Sequence, residues 1–242
     1  MTVPGTFDTS ARELIHAGLQ NLDEARSLFR QLSASGFDAA RCGLLLDALQ
    51  HVCDPDVALR NLVDIVNAQV SQGRALDDIM PDDTAFRQLV AVLGVSDAMG
   101  KLMRFRPDLV QAAATDHCNS HLYNHDQRRA HVLESVGADP NDRMSPTATM
   151  DLANAATALR RTYRNQLAAI IAQDTMSDDP IALQPRISSE LSDLADAALE
   201  GALAIARHEI TGSEHCRFAI IGMGKLGARE LNYAVSYTHL TL

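Results

Sequence analysis

The sequence predicts a mainly α-helical protein whose last segment enters an α/β unit. Apolar residues recur at helical spacing in nearly every segment up to about residue 210. The 242 residues include 36 alanines, no tryptophan and only 4% aromatic residues. This composition favours helices over strands. A short apolar run and three glycines then break the pattern. We therefore expect a helical bundle over residues 1–212, followed over residues 213–233 by the first strand, glycine loop and helix of an α/β domain.

The first three predicted helices each have a recognisable N-terminal cap. Asn21 with Glu24 forms a capping box, and Gly36 ends the helix that they begin. Asp38 begins the second helix, and the pair Asp54-Pro55 begins the third. Their predicted apolar faces are Ala25, Leu28, Phe29 and Leu32, then Leu45, Leu49 and Val52, then Leu59, Leu62, Val63 and Val66.

Further helices fill the rest of the helical region. They are predicted over residues 84–93 (ended by Gly94), 96–105, 107–114, 147–173 and 188–210. A loop is predicted at 138–146 and a linker at 177–185, because both stretches contain proline and polar residues. In the last helix the residues expected to face inward are Leu191, Leu194, Ala198 and Ala202.

Charge and cysteine content exclude several classes of protein. Lys and Arg total 21 and Asp and Glu total 31, so the net charge is −10, which disfavours binding to nucleic acid or to an anionic membrane. The N-terminus has no signal-peptide pattern, and no apolar run approaches the ~20 residues that span a bilayer. The four cysteines, Cys42, Cys53, Cys118 and Cys216, are widely separated. We expect free thiols and a cytoplasmic protein.

The main chemical motif is a glycine loop after the predicted buried strand 217–221. Gly222, Gly224 and Gly227 match G-x-G-x-x-G, and Lys225 lies inside the loop. Glycines let backbone N–H groups approach phosphates, and a following helix adds positive potential. A structural turn, a nicotinamide or flavin site, and another phosphate site all stay open, with Lys225 favouring phosphate charge neutralisation.

Two further groups of polar side chains indicate a functional site less strongly than the glycine loop. The first contains three histidines spaced four apart, which would share a helix face as metal ligands require, but nearby Asn and Ser residues favour a solvated connecting segment. This group is His117, Cys118, His121, His125 and His131. The second comprises the pairs Arg128-Arg129 and Arg160-Arg161, which could contact an anion but are expected on exposed helix faces.

The string F-A-I-I-G-M-G-K-L-G-A-R-E-L-N-Y, Phe218 to Tyr233, resembles the nucleotidyltransferase motif of the bifunctional glutamine-synthetase adenylyltransferase and adenylyl-removing enzymes. Residues 92–96, 159–164 and 190–200 are similar to the helical region of that family. The family has two nucleotidyltransferase domains: one removes AMP from a tyrosine of glutamine synthetase by phosphorolysis, and the other attaches AMP from ATP. The resemblance implies an N-terminal fragment of the adenylyl-removing half.

The resemblance also implies a site and its partners. Gly222, Gly224, Lys225 and Gly227 would position phosphates, with Glu230 in the helix behind them. The cofactor would be Mg²⁺, and ATP, ADP and phosphate would be substrates or products. Glutamine synthetase would be the target, and a PII-type nitrogen-signalling protein the regulator.

The sequence departs from the family after the glycine loop. The family continues into Ser-Asp-x-Asp, whose carboxylates hold the metal ions, whereas residues 234–242 contain no acidic residue. A two-metal centre needs paired carboxylates, so we expect no catalytic or metal-binding residue here and an inactive fragment. Residues 234–242 also resemble a translated sequencing adapter, and we expect them to be a non-native tail.

Two other functions stay open. The helices could form a binding module for glutamine synthetase or a nitrogen regulator, without chemistry of their own. The G-x-G-x-x-G loop could instead belong to a nicotinamide-dependent oxidoreductase. This second alternative is disfavoured, because that fingerprint normally opens its domain and a long helical region precedes it here.

Overall fold

A computed structural model describes residues 9–79, 82–114, 124–177, 179–213 and 216–233. Within these ranges the chain forms helices and no β-strand. None of the helices in these ranges is long and apolar enough to cross a membrane. The helices are α1 (Ala11–His16), α2 (Leu22–Ala34), α3 (Ala39–Leu49), α4 (Pro55–Ser71), α5 (Leu76–Ile79), α6 (Asp83–Val95), α7 (Asp97–Met103), α8 (Pro107–Ala114), α9 (His125–Ser135), α10 (Leu152–Thr175), α11 (Pro180–Glu209) and α12 (Gly224–Gly227).

The chain divides into two compact units. The first contains the described residues of Met1–Asn119 and Ile171–Met176. The second contains those of Ser120–Ile170 and Ser177–Leu242. Both units are built from helices, which confirms the predicted mainly helical architecture for the described residues. The predicted strand is not found among them.

In the first unit α4 packs against α2, α6 and α7, and α6 also contacts α3 and α8. The predicted apolar faces of α2 and α4 are confirmed, because their large side chains are buried; Leu28 alone is only partly buried. Leu45 and Leu49 of α3 are buried as expected, but Val52 lies beyond the end of that helix and is partly buried. Cys42 and Cys53 are free thiols, as is Cys216 in the second unit, whereas Cys118 lies outside the described residues.

The predicted caps are confirmed with one change in detail. Asp38 and Asp54 each accept a hydrogen bond from the first turn of their helices. Asn21 accepts the backbone N–H of Glu24 at 3.3 Å. The backbone N–H of Asn21, however, donates to Asp56 at 3.3 Å instead of to Glu24. The capping box is therefore incomplete, because a carboxylate from α4 takes the second donor.

Gly94 does not end a helix as predicted, since α6 continues to Val95. A Cβ atom at Gly94 would lie 2.9 Å from Cβ of Val52, so the glycine serves a close approach between segments. The helix predicted over residues 96–105 is shorter and runs from Asp97 to Met103 with Ser96 as its cap. The helix over 107–114 is confirmed.

In the second unit one helix was not predicted and two helix boundaries differ from the prediction. His125 and His131 lie in α9, so the connecting segment predicted there is wrong for these two residues. Asn124 caps α9 and forms a capping box with Gln127, so an asparagine that disfavours a helix interior begins a helix here. The loop at 138–146 is confirmed, and α10 begins at Leu152. The linker is shorter than predicted, because α11 begins at Pro180, capped by Asp179, and continues through Pro185.

Helix α11 is the central element of the second unit and packs along α9. Leu191 and Leu194 are buried as predicted, but Ala198 is only partly buried and Ala202 is exposed. The inward face shifts to Ala197, Gly201, Ala204 and Ile205 further along the helix. At Gly201 an added Cβ would lie 2.8 Å from Val132 of α9 and 2.9 Å from Leu159 of α10, so the glycine permits close helix packing.

Candidate functional site

The segment before the glycine loop has no regular secondary structure and is not a buried strand. Phe218 is 60% exposed and Ile221 is 82% exposed. A strand requires a hydrogen-bonded neighbour, and the described part of the chain provides none. The prediction of a buried strand at 217–221 is therefore wrong for the described structure.

The glycine loop, residues 222–227, makes a tight reversal. A Cβ atom at Gly227 would lie 2.5 Å from the carbonyl oxygen of Gly222, so the two backbones touch. Gly224 has φ +58°, in the left-handed region that favours glycine. Lys225 is exposed between them. Gly224 and Gly227 are thus needed for the loop conformation itself.

The helix predicted to follow the loop, with Glu230 in it, is absent. The loop closes instead on the single helical turn α12, too short to provide the macrodipole that the sequence interpretation invoked. Arg229 then adopts φ 60° and reverses the chain direction. Backbone N–H groups and the charge of Lys225 are what remain available for an anion.

Arg229 attaches the chain after the glycine loop to α11. Its Nη2 donates to Oδ1 of Asp193 at 2.6 Å and to Oγ of Ser189 at 2.8 Å. The next apolar residue, Leu231, is 3% exposed and packs with Leu191 and Leu194. A polar and an apolar contact therefore hold this end of the loop.

A cavity of about 530 Å³ lies beside the glycine loop within the second unit. Gly222 and Gly227 line it together with Arg143, Arg207 and Arg229. Helix α11, which carries Arg207, also contributes Asp196, Leu199, Glu200 and Leu203 to the lining. This volume is in the range of small-molecule sites. The exposed loop backbone and three guanidinium groups put hydrogen-bond donors and positive charge at the cavity, although each guanidinium also contacts a protein oxygen, of Asp126, Pro146 and Asp193 respectively.

Arg128 and Arg129 are buried, contrary to the prediction that both pairs of arginines lie on exposed helix faces. Arg128 is 1% exposed, donates to Oε1 of Gln166 at 2.7 Å and pairs with Glu190. Carboxylates of α11 face α9 at these positions and compensate the charges. Arg160 and Arg161 are exposed, as predicted.

Arg129 stabilises one wall of the cavity. Its Nε and Nη2 donate to the two carboxylate oxygens of Glu200 at 2.7 and 2.6 Å. Its guanidinium also donates to the carbonyl oxygens of Pro140 and Asp142 at 2.6 and 3.0 Å. This bidentate ion pair fixes the loop 138–146 against α11. The sequence offered no periodic pattern that indicated this role.

The same loop is shaped by Asp142. Its Oδ1 accepts the backbone N–H groups of Met144 and Ser145, both at 2.9 Å. These hydrogen bonds hold the pKa of Asp142 below its usual range. The resulting turn carries Arg143 and Met144 to the cavity lining.

One cluster of possible metal ligands occurs among the described residues. A ligand atom of each of His125, Asp193 and Asp196 lies within 4.8 Å of the others. Burial, and then the charge of Asp193, raises the pKa of Asp196. His117 and His121 lie outside the described residues, so the predicted histidine set is not tested. The spacing of Asp193 and Asp196 on α11 could have indicated the cluster.

The residues beside the glycine loop do not fit a magnesium site with paired carboxylates. Glu230 is the one acidic residue in the sequence 216–233, and it is exposed. Glu200 accepts hydrogen bonds from Arg129 on both oxygens, and the guanidinium of Arg229 already pairs with Asp193. Only Asp196 offers the cavity a carboxylate without such a partner among the described residues, so we derive no step through a metal ion.

The family model and the relatives that match this chain all come from one family of enzymes. The family model for glutamate-ammonia ligase adenylyltransferase matches residues 86–236. A Bifidobacterium longum (strain NCC 2705) protein named bifunctional glutamine synthetase adenylyltransferase/adenylyl-removing enzyme is 66% identical over 227 residues, covering 94% of this chain and 21% of the relative. A Cutibacterium acnes protein of the same name is 31% identical and covers 91% of this chain and 22% of the relative. The chain thus spans about a fifth of the length of these relatives. No solved structure matches the chain.

Proposed function

The chain belongs to the glutamate-ammonia ligase adenylyltransferase family, and from this premise we propose that it serves the transfer of adenylyl groups to or from glutamine synthetase. The relatives are named for both directions of this reaction. The resemblance of Phe218–Tyr233 to a nucleotidyltransferase motif favours the removal of AMP by phosphorolysis as the reaction served by this part of the protein. A cytoplasmic location accords with this role.

The site we propose is the glycine loop and its cavity. Gly222 and Gly227 line the cavity together with three arginines, and this juxtaposition is the observation that carries the proposal. Exposed loop N–H groups would donate to phosphate oxygens, and Lys225 would neutralise part of their charge. The cavity volume of about 530 Å³ suits a nucleotide.

Binding of ADP, ATP and inorganic phosphate to the 242-residue chain tests this site. We expect isothermal titration calorimetry to detect binding of ADP, and Lys225→Ala to weaken it at least about tenfold, because a charged hydrogen bond is worth about 1.5–3 kcal/mol. Arg160→Ala, which removes an exposed cation from α10, is the matched control. Equal affinities for wild type and Lys225→Ala would contradict the assignment.

We further infer that these 242 residues do not transfer AMP on their own. The carboxylates beside the loop do not suit Mg²⁺, and residues 234–242 are free of Asp and Glu. Incubation with adenylylated glutamine synthetase and phosphate is therefore expected to release no ADP. Phosphate-dependent release of ADP by this chain would refute the inference.

Residues 234–242 lie outside the described structure, and their assignment as a non-native tail stays a prediction. The family match extends to residue 236. Sequencing the genomic locus beyond the codon for Tyr233 tests it. We expect a continuation that encodes acidic residues, and a genomic Val-Ser-Tyr-Thr-His would contradict the prediction.

A binding role for the helices is the second candidate. All residues that line the cavity belong to the second unit, which leaves the helices of the first unit available for docking. The partner would be glutamine synthetase or a PII-type regulator. Immobilised chain is expected to retain one of these proteins even when Lys225→Ala weakens phosphate binding. Failure to retain either protein would exclude this role. Family membership argues against the nicotinamide-dependent oxidoreductase.

A further inference from the structure

We propose that Arg229 is a positioning residue that holds the glycine loop against α11. It lies two positions after Gly227, and its φ of 60° is unfavourable for a residue with a side chain. Such a conformation persists where surrounding contacts over-determine it. The contacts of Arg229 with α11 satisfy that condition.

One turn of α11 supplies the hydrogen-bond acceptors for the guanidinium of Arg229. Ser189 and Asp193 are four residues apart and so share a helix face. Asp193 is 7% exposed and accepts Nη2 at 2.6 Å, and Ser189 accepts both Nη2 and Nε, at 2.8 and 3.3 Å. Charged hydrogen bonds to a buried carboxylate are strong and directional. The geometry therefore fixes where the guanidinium lies.

A second contact secures the chain beyond Arg229. Leu231 is buried in the core around Leu191 and Leu194, and its backbone N–H faces Oγ of Ser192 at 3.5 Å. The backbone N–H of Glu230 donates to the carbonyl oxygen of Lys225 at 2.8 Å. The anchored segment is thus hydrogen-bonded directly to the middle of the glycine loop.

The charges around Arg229 explain why an arginine occupies this position. Asp193 and Asp196 lie together near His125, and two carboxylates in one cluster repel each other unless a cation lies between them. Arg229 supplies a cation to Asp193 from the loop side. Asp193 therefore takes part in holding the loop in place.

The proposal deepens the proposed function, because the same loop would bind phosphate. Arg229 lines the cavity, but three of its hydrogen bonds are directed to Ser189 and Asp193. Its role toward phosphate is therefore to keep the loop N–H groups in place. Within the described ranges, the side chain of Lys225 donates no hydrogen bond to α11 and supplies charge instead.

Hydrogen–deuterium exchange of the 242-residue chain tests the proposal without any ligand. In Arg229→Gln we expect the amides of Ala228, Glu230 and Leu231 to exchange at least about tenfold faster, since a charged hydrogen bond is lost. Amides within α4 and α6 of the first unit should keep their wild-type rates. Asp193→Asn should accelerate the same loop amides, and Arg229→Lys should give an intermediate rate because it retains a cation for Asp193.

Lys225→Ala separates this proposal from the proposed function. We expect this variant to bind phosphate more weakly while its loop amides exchange at the wild-type rate. Arg229→Gln should instead change both exchange and phosphate affinity. Unchanged exchange at residues 228–231 in Arg229→Gln would overturn the positioning role, and so would equally accelerated exchange along α9 and α11. Absence of phosphate binding in the wild type would refute the proposed function and leave the exchange result to decide the role of Arg229.

Discussion

Two adjacent arginines in α9 stabilise the packing of the second unit. Arg128 is buried with Gln166 and Glu190, and Arg129 joins Glu200 to the loop that forms a cavity wall. The sequence could not predict these roles, because their partners lie 62 and 71 residues away along the chain. Long side chains with distant counter-ions have no local pattern.

Removal of the Arg128 side chain should strongly destabilise the second unit. Arg128→Ala leaves the largely buried Glu190 with only Arg186, 4.0 Å away, as a cationic partner, and breaking a buried pair costs about 3–5 kcal/mol. Chemical denaturation followed by circular dichroism measures the change. Arg160→Ala, on the exposed surface of α10, should change the unfolding free energy by less than about 0.5 kcal/mol. Similar effects of the two substitutions would contradict the burial described for Arg128.

Asp196 should make stability depend on pH. Burial and the nearby charge of Asp193 raise its pKa above the ordinary value of 3.8, so the folded state binds the proton more tightly than the unfolded state. This contribution to stability is present below pH 3.8 and is lost as the pH rises through the raised pKa. Asp196→Asn should therefore unfold at a higher urea concentration than the wild type at pH 7.

The advantage of Asp196→Asn should disappear as the pH falls to about 3, because the wild-type carboxyl is then protonated in both states. Urea midpoints at several pH values measure this difference. A constant difference between the two proteins across this range would contradict the raised pKa.

At the scale of elements, α11 organises the site. One face receives Arg229 through Ser189 and Asp193, and another pairs with α9 through Glu190 and Glu200. The N-terminal caps of α2, α3 and α4 were predictable, because a cap acts on its own first turn. The continuation of α6 past Gly94 could not be predicted from the sequence, since it depends on tertiary packing.

Gly201→Ala should destabilise the second unit by about 1–3 kcal/mol, the usual cost of overpacking a core. The added methyl group would lie 2.8 Å from Val132 and 2.9 Å from Leu159. Gly43→Ala in α3 is the matched control, because no atom lies within 4 Å of its added Cβ. The control should stabilise by about 0.5–1 kcal/mol, since alanine favours a helix interior. Thermal unfolding measures both, and a stabilising Gly201→Ala would contradict the close packing.

At the scale of the whole molecule, the helical architecture followed from composition and periodicity, and the family from the short string around the glycine loop. The buried strand was the main error. Its apolar run has the right local pattern, but a strand forms only with a neighbour, and Phe218 and Ile221 remain exposed in the described chain. The site residues could be predicted as a motif, whereas the arginines that surround them could not.

Our central claim is that the glycine loop binds phosphate groups. The most direct measurement is the change in backbone amide chemical shifts of the 242-residue chain during titration with ADP, followed by nuclear magnetic resonance. We predict the largest shifts at residues 222–227, with smaller shifts around Arg143 and Arg207 across the cavity. Saturation by ADP with shifts confined to other residues, or no shift at any ADP concentration, would contradict the claim.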